Sequence, residues 1–373
     1  MKMSILTTED AVAEAVASAK GPLAIRGGGT RSVGRPVVGE VLDVSGLSGV
    51  TLYEPGALTI VAQAGTPVAR IEATLAAENQ RLAFEPYDLT GLLGTSGAST
   101  IGGVVATNAS GPRRIMVGAA RDFALGVRMV DGAGQVIKNG GRVMKNVTGY
   151  DLVKLMCGSW GTLGVLTEVS LKVLPSVEAE TTLAIDGLDA ARAVAAMSRA
   201  LGSPFEVSGA AWTGGQVWLR LEGFDASVTY RAGQLQALLS GFGDVTEISA
   251  DWTSVRDARP LHAAAGVWRI SVKPGDGPAV VALAPDDGVT MMDWGGGLVW
   301  VGQMSGDIAA THTALQSKVA QLGGHATLIK GPDAVRASVP VFQPEAPGVA
   351  TLTAGLRHRF DPQGILNPGL MAA

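Results

Sequence analysis

The chain alternates helix-like and strand-like stretches from its start. Val12, Ala15, Val16 and Ala19 are apolar at helical spacing, with Thr7 or Thr8 placed to cap that helix and Gly21-Pro22 to stop it. Leu23-Ala24-Ile25 predicts a short buried strand running into Arg26-Gly27-Gly28-Gly29-Thr30. Residues 50–53 and 58–64 flank Glu54-Pro55-Gly56-Ala57 as a hairpin. Thr66 is placed to cap a second helix, with Pro67 at its first position and Val68, Ile71 and Leu75 on one face. Strand pattern returns at 123–130 and, after Asp131-Gly132-Ala133-Gly134, at 135–138. A short helix is predicted over 151–156, and a long strand over 165–174 ended by Pro175.

Past Pro175 the texture changes. Residues 180–248 read β-α-β-β-α-β, with helices near 188–201 and 226–240, and the same order returns over 267–329 with a helix near 307–322. Trp212-Thr213-Gly214-Gly215-Gln216-Val217-Trp218 matches Trp294-Gly295-Gly296-Gly297-Leu298-Val299-Trp300 at five of seven positions, 82 residues further on. At the same offset Asp225 and Asp307 stand as N-caps of the following helices. This pattern predicts two ferredoxin-like halves; chance likeness between two glycine turns is the alternative. Pro332, Pro340, Pro344 and Pro347 predict an extended crossing in the tail.

Composition narrows the function. Hydrophobic residues make up 47% and charged residues 17%, which supplies a core and excludes disorder. The net charge of −4, without a basic block, argues against a nucleic-acid surface. No apolar run reaches the roughly 18 residues of a membrane span, and Met1 to Asp10 lacks the form of a secretory signal, so a cytoplasmic protein is expected. Cys157 is the one cysteine, which rules out internal disulfides and a cysteine-based metal site. Its place after an apolar helix favours a structural thiol.

Glycine, 51 of 373 residues, is nearly twice its ordinary share of about 7%. In Arg26-Gly27-Gly28-Gly29-Thr30, three glycines after a buried strand let N–H groups point into one concavity, which suits a diphosphate. The spacing is neither a Walker loop nor a Rossmann fingerprint, and a plain glycine turn would read the same. Residues 94–111 hold five Gly and six Ser or Thr with no charge, a stretch able to lie against a flat, polar, anionic ligand through amides and hydroxyls. Two further segments carry weight: Gly158-Ser159-Trp160-Gly161-Thr162-Leu163-Gly164-Val165, entering a strand, and the tail Asp361-Pro362 to Asn367-Pro368-Gly369.

In this order the four segments resemble the vanillyl-alcohol-oxidase-type (PCMH) FAD-binding family over residues 20–175 and 355–370. Lys145 to Leu152 is similar to its lactate and glycolate dehydrogenase branch. Gly323 to Gly331 looks like the FAD-binding subunits of glycolate oxidase-type complexes, with Lys330 where Arg is expected. The resemblance implies an α+β fold. A two-lobed FAD-binding domain spans 1–175 (lobes about 1–85 and 86–175), a cap of two ferredoxin-like halves spans 176–330, and the tail 331–373 returns to the FAD domain.

The implied cofactor is FAD. Covalent members attach flavin through His in the first loop or Cys in the second; this chain has neither, so attachment is expected to be non-covalent. The residues implied to bind it are Arg26, Gly27, Gly28, Gly29, Thr30, Gly94, Gly97, Ala98, Ser99, Thr100, Gly102, Gly103, Ala106, Asn108, Gly111, Gly161, Gly164, Val165 and Asn367. No metal site is expected.

The implied function is the flavin subunit of a complex oxidising a 2-hydroxy acid (glycolate to glyoxylate). Its partners would be a larger catalytic flavin subunit and an iron–sulfur subunit, with peripheral attachment to the inner membrane through the complex. The alternatives are an FAD-stabilised structural subunit and a free-standing 2-hydroxy-acid dehydrogenase. The Gly-Glu-His-Gly-Ile-Gly segment of the catalytic branch is missing, and Trp160 stands where that branch often has Glu. His325 is the candidate base and Tyr150, with Asn146, the candidate ring neighbour; Lys330 and Arg26 are candidate anion holders. A structural histidine is the competing reading of His325.

Overall fold

A computed structural model of the protein describes residues 5–141 and 149–372. The first helix, Glu9–Ala17, starts at Thr8, whose hydroxyl accepts the Ala11 N–H, and buries Val12 and Val16. It leads to β1 (Leu23–Arg26), paired in parallel with β2 (Glu40–Asp43). The hairpin β3 (Val50–Glu54) and β4 (Thr59–Gln63) follows, then the short β5 (Gln80–Arg81). β6 (Ala124–Val130) and β7 (Val136–Gly140) are joined by the Asp131 turn, where the Asp131 carboxylate accepts the N–H groups of Ala133 and Gln135. β8 (Val165–Lys172) runs between β4 and β6, giving a five-stranded sheet ordered β3-β4-β8-β6-β7. β9 (Leu174–Pro175) pairs with β5.

That sheet crosses the lobe boundary expected near residue 85. β4 pairs with β8 along five residues, from Thr59–Lys172 to Gln63–Glu168, so hydrogen bonding joins what the sequence reading divides. β1 and β2 form the separate small sheet instead.

The second unit holds β10 (Ala179–Asp186), β11 (Gly209–Trp212), β12 (Gln216–Gly223), β13 (Val245–Ile248), β14 (Gly266–Ser271), β15 (Val289–Asp293), β16 (Leu298–Gln303) and β17 (His325–Lys330). They make one eight-stranded sheet ordered β13-β10-β12-β11-β15-β16-β14-β17. Each half runs β-α-β-β-α-β, and the halves meet where Trp212 pairs with Met292. The helices Ala190–Leu201, Asp225–Leu239 and Ile308–Gln321 pack on one face, above inward residues such as Val217, Leu219, Leu221, Trp268 and Ile270. The alternate residues Arg220 and Glu222 face the first unit, where Arg220 binds Glu85 and Glu222 binds Arg113 and Arg81.

Three local expectations need correction. Thr66 does not cap the second helix (Val68–Ala76): Pro67 holds that position, and the buried Thr66 hydroxyl instead accepts the Gly49 N–H and donates to the Gln63 carbonyl. Asp225 is the first helical residue after Phe224, whereas Asp307 does cap, accepting from Ala309 and Ala310. The tail is not extended throughout. Pro332 precedes the helix Asp333–Ser338 and Pro347 opens the helix Pro347–Phe360, because a missing N–H and a fixed φ suit a helix start.

Candidate functional site

A cleft of about 540 Å³ opens where the first glycine loop meets the helix Ile101–Thr107, the entry to β8 and the tail. That volume lies in the usual range for small-molecule sites. Its floor is largely main chain. Gly29 sits at φ 69°, a conformation that carries a side chain only at a cost in strain. The two glycine stretches touch backbone to backbone: a Cβ on Gly28 would lie 1.6 Å from the Ala98 carbonyl oxygen, and one on Gly97 1.7 Å from that of Gly28. Thr100 packs the same way, with its hydroxyl 2.6 Å from a Cβ placed on Gly27.

The electrostatics favour an anion. Arg26, Arg31, Arg35 and Arg336 line the cleft, and no acid joins them among the described residues, although the chain as a whole is acidic. Among the described residues, no protein acceptor takes up the N–H groups of Gly27, Gly28, Gly29 or Thr30. Consecutive free amides beside arginines form a nest for paired phosphates. The arginines are themselves held in place. Arg31 donates to the Ser99 hydroxyl at 2.9 Å and the Tyr87 carbonyl at 2.8 Å, and Arg336 donates to the carbonyls of Ser32 and Gly34. This donor set fits the diphosphate of FAD.

The tail closes one side. The N–H of Ile25 donates to Asn367 Oδ1 at 2.8 Å, and Asn367 Nδ2 donates to the Trp160 carbonyl at 2.9 Å. Leu23 makes two further backbone bonds to the tail, its N–H donating to the Ile365 carbonyl and its carbonyl accepting the Asn367 N–H. One residue from the chain's end thus ties the strand before the first loop to the strand entry at 158–165.

Of the residues named from sequence, Arg26, Gly27, Gly28, Gly29, Thr30, Thr100, Gly102, Gly103, Ala106, Gly161, Gly164, Val165 and Asn367 line this cleft. Gly94, Gly97, Ala98, Ser99, Asn108 and Gly111 do not. Gly97, Ala98 and Ser99 face a second hollow with Glu72 and Arg256. Asn108 ends the helix Ile101–Thr107 at φ 50° and accepts the Arg121 N–H. Gly111 lies tight beneath Glu85, whose carbonyl oxygen would be 2.5 Å from a Cβ there.

Tyr150 is 87% exposed, and His325 is exposed at the start of β17; neither lines the cleft. Lys330 donates to the His262 carbonyl at 2.9 Å, and burial pushes its ammonium below the ordinary value. Asn146 lies outside the described residues. Arg31, Arg35, Trp160, Arg336 and Leu370 line the cleft without having been named as binding residues. Arg31 follows the loop directly, which was a usable signal; Arg336 and Leu370 come from the tail and had none.

Two other titratable groups, Cys157 and His312, are structural. Cys157 is buried, and burial pushes its thiol up to about 12. His312 accepts the Trp268 indole N–H at Nδ1, 3.0 Å away, and its Nε2 lies 2.8 Å from the Pro340 carbonyl, to which it donates. No helix among the described residues is long and apolar enough to cross a membrane.

Comparison with known proteins agrees with this chemistry. A family model described as an FAD binding domain matches residues 4–140. The glycolate oxidase subunit GlcE of Escherichia coli (strain K12) is 37% identical over 362 residues, covering 95% of this chain and 94% of that protein. A D-lactate dehydrogenase of Archaeoglobus fulgidus is 35% identical over 164 residues, 44% of this chain and 36% of its own. The solved structure of an alkyldihydroxyacetonephosphate synthase superposes with a TM-score of 0.70 at 16% identity, covering 98% of this chain and 76% of that one, which shows a shared fold.

Proposed function

The chain belongs to the FAD-binding family that contains the glycolate oxidase subunit GlcE, and on that premise we propose that it is the flavin subunit of a complex that oxidises a 2-hydroxy acid, glycolate to glyoxylate. One observation carries the flavin part of this reading: the cleft gathers four arginines and four free amides from segments up to 310 residues apart, between Arg26 and Arg336.

Arg26 and the N–H groups of Gly27 to Thr30 hold the diphosphate. Arg31, locked by Ser99 and Tyr87, adds a fixed positive charge without needing to move. Thr100, Gly102, Gly103 and Ala106 give flat backbone on the opposite wall, and Asn367 sets the distance between the first loop and the strand entry at Gly161. FAD, when bound, supplies the two-electron redox chemistry; the protein supplies position and charge. Attachment is non-covalent, since the cleft offers no His or Cys among its described lining residues.

Partners follow from the same reading. A larger flavin subunit and an iron–sulfur subunit complete the complex and take the electrons onward. The chain lies in the cytoplasm and reaches the membrane only through that complex. Exposure of Tyr150 and His325 outside the cleft favours this reading over a free-standing dehydrogenase.

The test is co-expression with the neighbouring genes, followed by purification on a tag carried by this chain. Recovery of a yellow complex that reduces a dye with glycolate is the expected result. A colourless chain, or one that purifies alone from cells making the other subunits, would refute the proposal.

A further inference from the structure

The interface between the two units carries more arginine than it neutralises. Arg81, Arg113 and Arg220 each reach Glu85 or Glu222 within 3.2 Å. Arg114 and Arg269 do not: among the described residues neither forms an ion pair, and the Nε of Arg269 is sealed from solvent with no hydrogen-bond partner. Both residues are intermediate in exposure. Their support is aromatic. The guanidinium carbons of Arg114 and Arg269 lie 4.5 and 4.9 Å from the centre of the same Trp294 ring. Arg269 is also 5.9 Å from the rings of Tyr87 and Trp300.

Tyr87 links this cluster to a residue of the cleft. Arg31, a cleft-lining residue, lies 5.8 Å from the Tyr87 ring that Arg269 also approaches. Trp294 is pinned to the end of the second glycine stretch, its indole N–H donating to the Gly111 carbonyl at 3.1 Å. Arg269 reaches this place because Trp268 and Ile270, its neighbours on β14, point into the helix-covered core and turn it to the opposite face, beside its cross-strand partner Trp300.

Two shielded guanidinium groups without an acceptor are costly, because removal from water is repaid only by an opposite charge or by hydrogen bonds. Burial, and next the neighbouring charge of Arg269, push the Arg114 guanidinium below its ordinary value. Asp293 is close enough for its charge to act on Arg269 but forms no ion pair with it, and its Oδ1 accepts the Trp294 N–H. The missing partner is an anion with paired oxygens, matched to the planar fork of arginine, and the aromatic walls keep it small.

We propose that Arg114 and Arg269, stacked on Trp294 and walled by Tyr87 and Trp300, form a binding site for the carboxylate of a small organic acid within this chain. The inference rests on the flavin-subunit reading given above and assigns its acid-binding residues.

The experiment uses the full, FAD-loaded chain and oxalate, a small carboxylate with no C–H bond to oxidise, titrated by calorimetry. The parent protein is expected to bind oxalate, with Arg269→Met and Arg114→Gln each weakening binding at least tenfold while flavin absorbance stays at the parent level. Arg269→Lys keeps the charge and loses the fork; it is expected to fall between parent and Arg269→Met, and it keeps the test open if Arg269→Met fails to fold. Arg199→Gln, on the outer helix Ala190–Leu201, is expected to bind as the parent does. Parent-like affinity in both Arg269→Lys and Arg114→Gln, or no binding by the parent, would overturn the site. A complex that turns over glycolate with a chain blind to oxalate would reject this inference and leave the flavin-subunit reading standing.

Discussion

Arg113 forks onto Glu222, with Nε donating to Oε2 and Nη2 to Oε1, both at 2.8 Å, and the pair joins the first unit to the eight-stranded sheet. Both side chains are nearly sealed from water, at 6% and 4% exposure. Breaking such a pair by removing one partner strands the other, at a cost of about 3–5 kcal/mol. Glu222→Gln should therefore lower the denaturation midpoint markedly, and chemical unfolding should report it. Burial by itself would raise the Glu222 carboxyl, but hydrogen bonds and charge from Arg113, then Arg220 and Arg81, hold it below the usual carboxylate range. Glu85 is held low in the same way against its burial, by Arg220 and Arg113. Carboxyls depressed on folding contribute stability above their unfolded values, near 4.5, that is lost as pH falls through the folded ones. The parent should lose stability on acidification below that point, and Glu222→Gln should lose less.

Asp293 predicts the opposite slope at higher pH. It is 2% exposed, and burial pushes its carboxyl up to about 7, with Glu85 adding to the rise and Arg220 and Arg269 opposing it. The folded protein then holds a proton that the unfolded chain has released. The contribution to stability is complete below the unfolded value, near 3.8, and is lost as pH rises toward 7, by up to a few kcal/mol at roughly 1.4 kcal/mol per unit. Asp293→Asn keeps an oxygen to accept the Trp294 N–H and has nothing to titrate. It should melt above the parent at pH 8 and near it at pH 4; equal melting-temperature differences at both would contradict the assignment.

Gly28→Ala tests the contact between the two glycine stretches. The new methyl would overlap the Ala98 carbonyl oxygen, 1.6 Å away, and that oxygen belongs to rigid backbone. Gly102→Val should act alike, since even its Cβ would lie 2.8 Å from the Ala64 carbonyl oxygen. Each variant is expected to lose most bound flavin, read as absorbance per protein. Full flavin content in Gly28→Ala would show that the loops do not meet in this way.

The Cys157 thiol should be inert in the folded protein. With its pKa pushed up to about 12 by burial, almost no thiolate exists at pH 8. A chromogenic disulfide reagent should titrate about zero thiols before denaturant and about one after it; rapid labelling of the native chain would place Cys157 at a surface.

Local signals in the sequence determined much of this protein. The glycine loop after Leu23–Arg26, the hairpin at β3 and β4, the Asp131 turn and the two β-α-β-β-α-β runs are all encoded by neighbours within a few residues, where turn chemistry and periodicity act. Tertiary structure decided what those elements face. Alternation along β12 separates Val217, Leu219 and Leu221 from Arg220 and Glu222 as though one side met water. Only the assembled fold shows both sides buried, the charged one against Arg113 and Glu85. Distance in sequence likewise hid Arg336 and the bond from Ile25 to Asn367, 342 residues on, because no local pattern records which partner a side chain meets once the chain has closed.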